Sequence, residues 1–106
     1  MAEMTITRED TDARHGRYVA RLAGIDAEAE LTFTRRGDGR VSADHTGAPE
    51  ALRGTGAAAA LVEAMVADAR KEGFRIVPLC SYVAHHASNP DWADAFATAP
   101  EDRADP

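Results

Sequence analysis

Polar and apolar residues alternate through the first half of the chain and recur with a helical period through the second. Met4-Thr5-Ile6-Thr7 and Arg17 to Leu22 alternate in character and are rich in β-branched or aromatic residues, with a polar segment ending at Gly16 between them. From Ala27 to Arg36, the residues Ala27, Ala29, Leu31 and Phe33 share one face while Glu28, Glu30, Thr32 and Thr34 share the other. Arg36-Gly37-Asp38-Gly39 is a turn signal, after which Arg40 to His45 returns as the next antiparallel strand. This pattern predicts a meander of about four strands.

The period then changes. Ala58, Leu61, Val62, Met65 and Ala69 form a helical stripe, with Glu63, Arg70 and Lys71 largely off it. The helix is expected over about 54–72, stopped by Gly73 as a C′ residue. Arg75 to Cys80 follows as a short apolar strand punctuated by Pro78. Ser81 is a plausible N-cap for a short helix, Tyr82 to Ala87, closed by Asn89-Pro90. Trp92 and Phe96, spaced i and i+4, suggest a last helical turn on the core. A strand, a long helix and a strand attached to a meander make an α/β (α+β) chain with a mixed, mostly antiparallel sheet and a short C-terminal helical region.

At 106 residues the chain fits one domain, expected over 1–99, with PEDRADP at 100–106 as a flexible tail. Hydrophobic residues make up 44% and charged residues 28%, and no apolar run approaches a membrane span. The N-terminus lacks the pattern of a secretory signal and the single Cys80 cannot form an internal disulfide, so a cytoplasmic protein is expected. A net charge of −6 argues against nucleic-acid binding, which depends on Lys and Arg. His15, His85 and His86 read as surface residues, and no clustered Cys or His predicts a metal site.

Two glycines stand where the long helix should begin, in Leu52-Arg53-Gly54-Thr55-Gly56-Ala57-Ala58. Gly costs about 1 kcal/mol relative to Ala inside a helix, so their presence needs a local reason. One reason is an anion: a helix N-terminus offers unpaired N–H groups and partial positive charge, and glycines let a ligand approach the backbone. The other is close packing of helix on sheet, with Arg53 a solvated charge. A P-loop is excluded, because no Lys follows the glycines. Gly54-Thr55-Gly56-Ala57-Ala58-Ala59 satisfies a dinucleotide fingerprint formally, but the preceding strand ends well upstream and Val77-Pro78-Leu79-Cys80 carries no ribose-binding carboxylate.

Arg53-x-x-Gly56-x-Ala58 resembles the R/Q-x-x-G-x-G/A pyrophosphate loop of the GCN5-related N-acetyltransferases. The order Asp44-His45-Thr46, Pro49, LRGTG, long helix and PLCSYV is similar to the minimal YjdJ type of that family, over roughly Arg17 to Phe96. The chain departs from that type at Gly47-Ala48-Pro49 and at Ser88 to Trp92. The resemblance implies a truncated acetyltransferase fold, acetyl-CoA as cofactor, and transfer of an acetyl group to an amine on a small molecule or a protein lysine, by a monomer or weak homodimer. It implies cofactor binding by His45, Leu52, Arg53, Gly54, Thr55, Gly56, Ala57, Ala58 and Cys80.

Acetyl transfer needs a neutral amine, a polarised thioester carbonyl and a proton for the departing thiolate. His45, at the end of the strand before the loop, is the candidate base. Cys80 is expected to share that centre, either taking the acetyl group covalently or lining the pocket as a small buried residue while transfer is direct. Tyr82 is a candidate proton donor to the CoA thiolate. A noncatalytic CoA-binding or protein-interaction module is the alternative, since so small a domain has little wall for an acceptor pocket.

Overall fold

A computed structural model describes residues 3–97 of the chain; the expected tail at 100–106 lies outside them. The strands β1 (Met4–Asp10), β2 (His15–Leu22), β3 (Glu28–Gly37) and β4 (Arg40–Gly47) pair antiparallel in sequence order. Helix α1 (Ala57–Glu72) then carries the chain to β5 (Arg75–Pro78), which pairs parallel with β4. The sheet is therefore a meander closed by one βαβ crossover, in the order β1-β2-β3-β4-β5.

α1 packs across one sheet face, over β2 and β3. Leu61, Val62, Met65 and Ala69 are buried as their stripe predicts. Ala57 and Val66 join them, whereas Ala58 is only half-buried. They meet Tyr18, Ala20, Leu31, Phe33, Ala43 and Ile76 in one core. Complete burial of each Leu, Val or Met contributes about 1.5–3 kcal/mol, which holds the helix to the sheet. The other face is ionic: Arg17 meets Glu9 and Glu30 at 2.9 Å each, and Arg21 meets Glu28 at 2.6 Å. Such part-exposed pairs contribute only about 0–1 kcal/mol each, and among them Val19 and Ser42 on this same face are fully buried.

Three boundaries differ from the sequence pattern. The helix starts at Ala57 instead of near 54, because Gly54 and Gly56 take left-handed backbone angles outside it. β5 ends at Pro78, which brings no N–H to the ladder, and Cys80 rather than Ser81 is the N-cap of helix α2 (Ser81–His86). Beyond α2 a 3₁₀ turn spans Ala93–Ala95, and Phe96 is extended, bridging to Ile76 in parallel. Phe96 is thus fully buried as an extra rung beside β5, while Trp92 stays half-buried against the His86 ring.

One irregularity decides what β4 presents. Its pairing with β3 steps from Thr32↔His45 to Phe33↔Ala43, leaving Asp44 as an extra residue, a β-bulge. Asp44 is held there by Thr34 Oγ1 at 2.5 Å and Ser42 Oγ at 2.7 Å. Because cross-strand partners share a face, one extra residue exchanges the faces of all that follow. Ala43 lies with Phe33 on the α1 face, His45 with Thr32 on the ionic face, and Thr46 with Leu31 on the α1 face again.

Candidate active site

Gly56, at φ 84°, is the N-cap of α1 and offers no side chain to its N–H groups. Gly54 has φ 77°, and a Cβ at either position would meet no atom within 4 Å. This overturns close helix–sheet packing as the reason for the glycines; the backbone angle and the open space beside it are the reason. The first intrahelical bond is Ala60 N–H to Gly56 O at 2.9 Å, and the Ala57 N–H reaches Thr55 Oγ1 at 3.3 Å. No protein group among the described residues accepts from Ala58 or Ala59 N–H. No acidic residue lies in the first turn.

A groove of about 220 Å³ opens at this point, lined by Ala48, Leu52, Arg53, Gly54, Gly56, Ala57, Ala58, Ala59 and Tyr82. Arg53 is the charged member of that lining and none is a carboxylate, in a chain of net charge −6. The groove therefore has the donors, dipole and sign of charge that suit a phosphate group.

Next to it the sheet splits. Ala43 O accepts from both Leu79 N–H, at 3.1 Å, and Cys80 N–H, at 2.9 Å, closing the β4–β5 ladder. Beyond that point β4 runs on with β3 to Gly47 while the chain after Pro78 turns into α2. Cys80 stands in the fork, half-buried, with Sγ 3.5 Å from Thr46 Oγ1. Burial pushes its thiol up, but the Thr46 hydroxyl and the N–H groups of Val83, Tyr82 and Thr46 outweigh it, so the thiol lies below its ordinary value. Burial pushes the Tyr82 phenol up, which keeps it protonated at neutral pH.

The residues singled out by sequence do not all converge. Leu52, Arg53, Gly54, Gly56, Ala57 and Ala58 line the groove, and Tyr82 closes its far side. Thr55 turns away: its hydroxyl donates to Leu52 O and accepts from Ala57 N–H, which shapes the loop from beneath. His45 is exposed on the ionic face, its Nε2 beside the position a Cβ on Gly47 would take. The residue that meets Cys80 is Thr46 instead, because the bulge at Asp44 exchanges the two. Thr46, Ala48 and Ala59 escape sequence reasoning: nothing in Ser42-Ala43-Asp44-His45 marks the extra residue, and alanines carry no chemical signal. Among the other histidines, His15 pairs with Asp12 at 3.0 Å, and His86 meets Tyr82 edge-on and Trp92 at a tilt, with centroids 4.8 and 5.4 Å away. Burial and the adjacent His85 depress the His86 pKa.

No curated protein matches the chain. A family model does, that of the GCN5-related N-acetyl-transferases, over residues 17–95. The matched span runs from within β2 to the 3₁₀ turn and includes the glycine loop, the groove and the β4–β5 fork. With its sheet, its long helix and that match, the chain belongs to the GCN5-related N-acetyltransferase family.

Proposed function

We propose that this protein is an acetyl-CoA-dependent N-acetyltransferase of the minimal YjdJ type, with the groove at the start of α1 as the CoA site and Cys80 as the acetyl-carrying residue. The observation that carries this reading is the adjacency of two features. Tyr82 lines a carboxylate-free groove with unpaired helix N–H groups and stands in the helix whose N-cap is Cys80, a half-buried thiol of lowered pKa that itself lies outside the groove's lining.

The donor, acetyl-CoA, supplies an acetyl group activated as a thioester. The amides of Gly54, Gly56, Ala58 and Ala59 and the Arg53 guanidinium hold its pyrophosphate. Thr46 N–H, directed at the Cys80 sulfur, is the strand amide we assign to the acetyl carbonyl oxygen. The Cys80 thiolate bonds to the acetyl carbon as the bond from that carbon to the CoA sulfur breaks, and Tyr82 protonates the departing sulfur. The neutral amine then forms its bond to the carbon as the bond to Cys80 breaks, and the proton it sheds passes to the Tyr82 phenolate left by the first step; His45, on the opposite sheet face, is out of reach of this centre. The acceptor is an amine, on a small molecule or a protein lysine.

Intact-protein mass spectrometry after brief incubation with acetyl-CoA and no acceptor tests this. The expected result is one added acetyl group, removed by hydroxylamine and absent from Cys80→Ala, which keeps its CoA affinity. Release of CoA by Cys80→Ala at the wild-type rate would replace the covalent route by direct transfer. CoA binding with neither acetylation nor release would instead favour a noncatalytic CoA-binding module.

A further inference from the structure

We propose that Thr46 is a positioning residue for Cys80, its hydroxyl holding the sulfur in the β4–β5 fork and favouring the thiolate. This rests on the reading of Cys80 as the acetyl carrier and adds what sets its reactivity.

Thr46 Oγ1 lies 3.5 Å from Cys80 Sγ across 34 positions of sequence. The protonated thiol donates to that oxygen; once ionised, the sulfur accepts from the hydroxyl instead, so the contact persists through the titration. Hydrogen bonds to an ionised partner are the stronger ones, which makes the contact favour the thiolate. Two features keep Thr46 in place. The bulge at Asp44, fixed by Thr34 and Ser42, turns the Thr46 side chain toward the α1 face. The two hydrogen bonds that Ala43 O accepts, from Leu79 and Cys80 N–H, then fix the start of α2 beside it.

The titratable groups on the elements around the thiol are few. On β4, the Asp44 carboxylate is engaged by Thr34 and Ser42 and meets Arg36 at 3.7 Å, and His45 lies on the opposite face. On α2, Tyr82 packs against His86, and His86 against His85. All of these stay unchanged when Thr46 alone is replaced.

Cys80 is the single cysteine, so alkylation by iodoacetamide reads its thiolate directly. Rates are measured across pH for wild type, Thr46→Val, which keeps the shape and loses the hydroxyl, and Thr46→Ser, which keeps the hydroxyl. Thr46→Val should move the inflection to higher pH and slow alkylation at neutral pH by roughly three- to tenfold, the worth of one hydrogen bond, with the high-pH plateau unchanged. Thr46→Ser should follow the wild-type profile. Should Thr46→Val not fold, Thr46→Ala provides the same comparison. An unshifted profile in a folded Thr46→Val, or a Thr46→Ser displaced as far as Thr46→Val, would overturn the proposal. No acetyl-CoA enters the assay, so a Cys80 that tracks Thr46 but is never acetylated would remove the covalent reading alone. An acetylated Cys80 that ignores Thr46 would remove this proposal alone.

Discussion

Helix α1 begins and ends on a glycine in the left-handed region, Gly56 at φ 84° and Gly73 at φ 83°, yet the two ends meet different surroundings. At the C-terminal end the protein supplies its own partners: Gly73 and Phe74 N–H both return to Ala69 O, at 2.8 and 3.1 Å. Arg70 and Lys71 match the dipole there, and Arg70 is tied to Asp94 and to the Asp91 carbonyl. At the N-terminal end Gly56 brings no side-chain cap, Ala58 and Ala59 N–H have no protein acceptor among the described residues, and no carboxylate in the first turn answers the dipole. The same backbone device thus closes one end of the helix with protein groups and leaves the other without them among the described residues. What separates a structural glycine from a site glycine here is the bookkeeping of N–H and C=O groups around it.

Four substitutions sharpen this contrast, in decreasing order of effect. Gly56→Val should weaken CoA binding roughly a hundredfold, about 2.7 kcal/mol, because the branched side chain fills the approach to the phosphates. Calorimetric titration reads it, and Gly73→Val should bind CoA as wild type does. In turn Gly73→Val should lower stability by about 1–2 kcal/mol in urea unfolding, because a β-branched residue resists its αL angle. An affinity loss of similar size in both variants would break the comparison.

Arg53→Ala should reduce CoA affinity by about tenfold at low salt, one charge-assisted contact, and by less as salt screens it. The smallest effect belongs to the Arg70–Asp94 pair. Arg70 lowers the Asp94 pKa from the ordinary 3.8. A depressed folded-state pKa stabilises above the unfolded value and ceases to as pH falls through the folded one. The melting-temperature gap between wild type and Asp94→Asn should therefore be present at neutral pH and close below about pH 3.8. CoA affinity should be the same in both proteins throughout.

A feature of this fold is legible in the sequence where its pattern repeats. The alternation from Ala27 to Thr34 repeats along the strand, and it places Ala29, Leu31 and Phe33 in the core as read. The stripe of Leu61, Val62, Met65 and Ala69 is legible for the same reason. The glycine loop is legible as a local exception to the helix, though the helix start moves three residues, because composition shows that Gly54 and Gly56 are special but not that they stand outside the helix. Events that occur once leave no period. The single extra residue at Asp44 exchanges His45 for Thr46 beside Cys80, and it depends on Thr34 and Ser42 reaching across the sheet. Phe96 joining β5 is likewise a tertiary pairing without local signal.

The central claim, that the open end of α1 is where CoA binds, is tested most directly by titrating CoA into the ¹⁵N-labelled protein and following backbone amide shifts. The largest, saturable shifts should fall on Gly54, Gly56, Ala57, Ala58 and Ala59, with smaller ones at Thr46 and Cys80 and none at Gly73 or Phe74. Saturable shifts confined to the groove between β1 and α1, around Ile6, Arg8 and Asp68, with the loop amides unmoved, would contradict it.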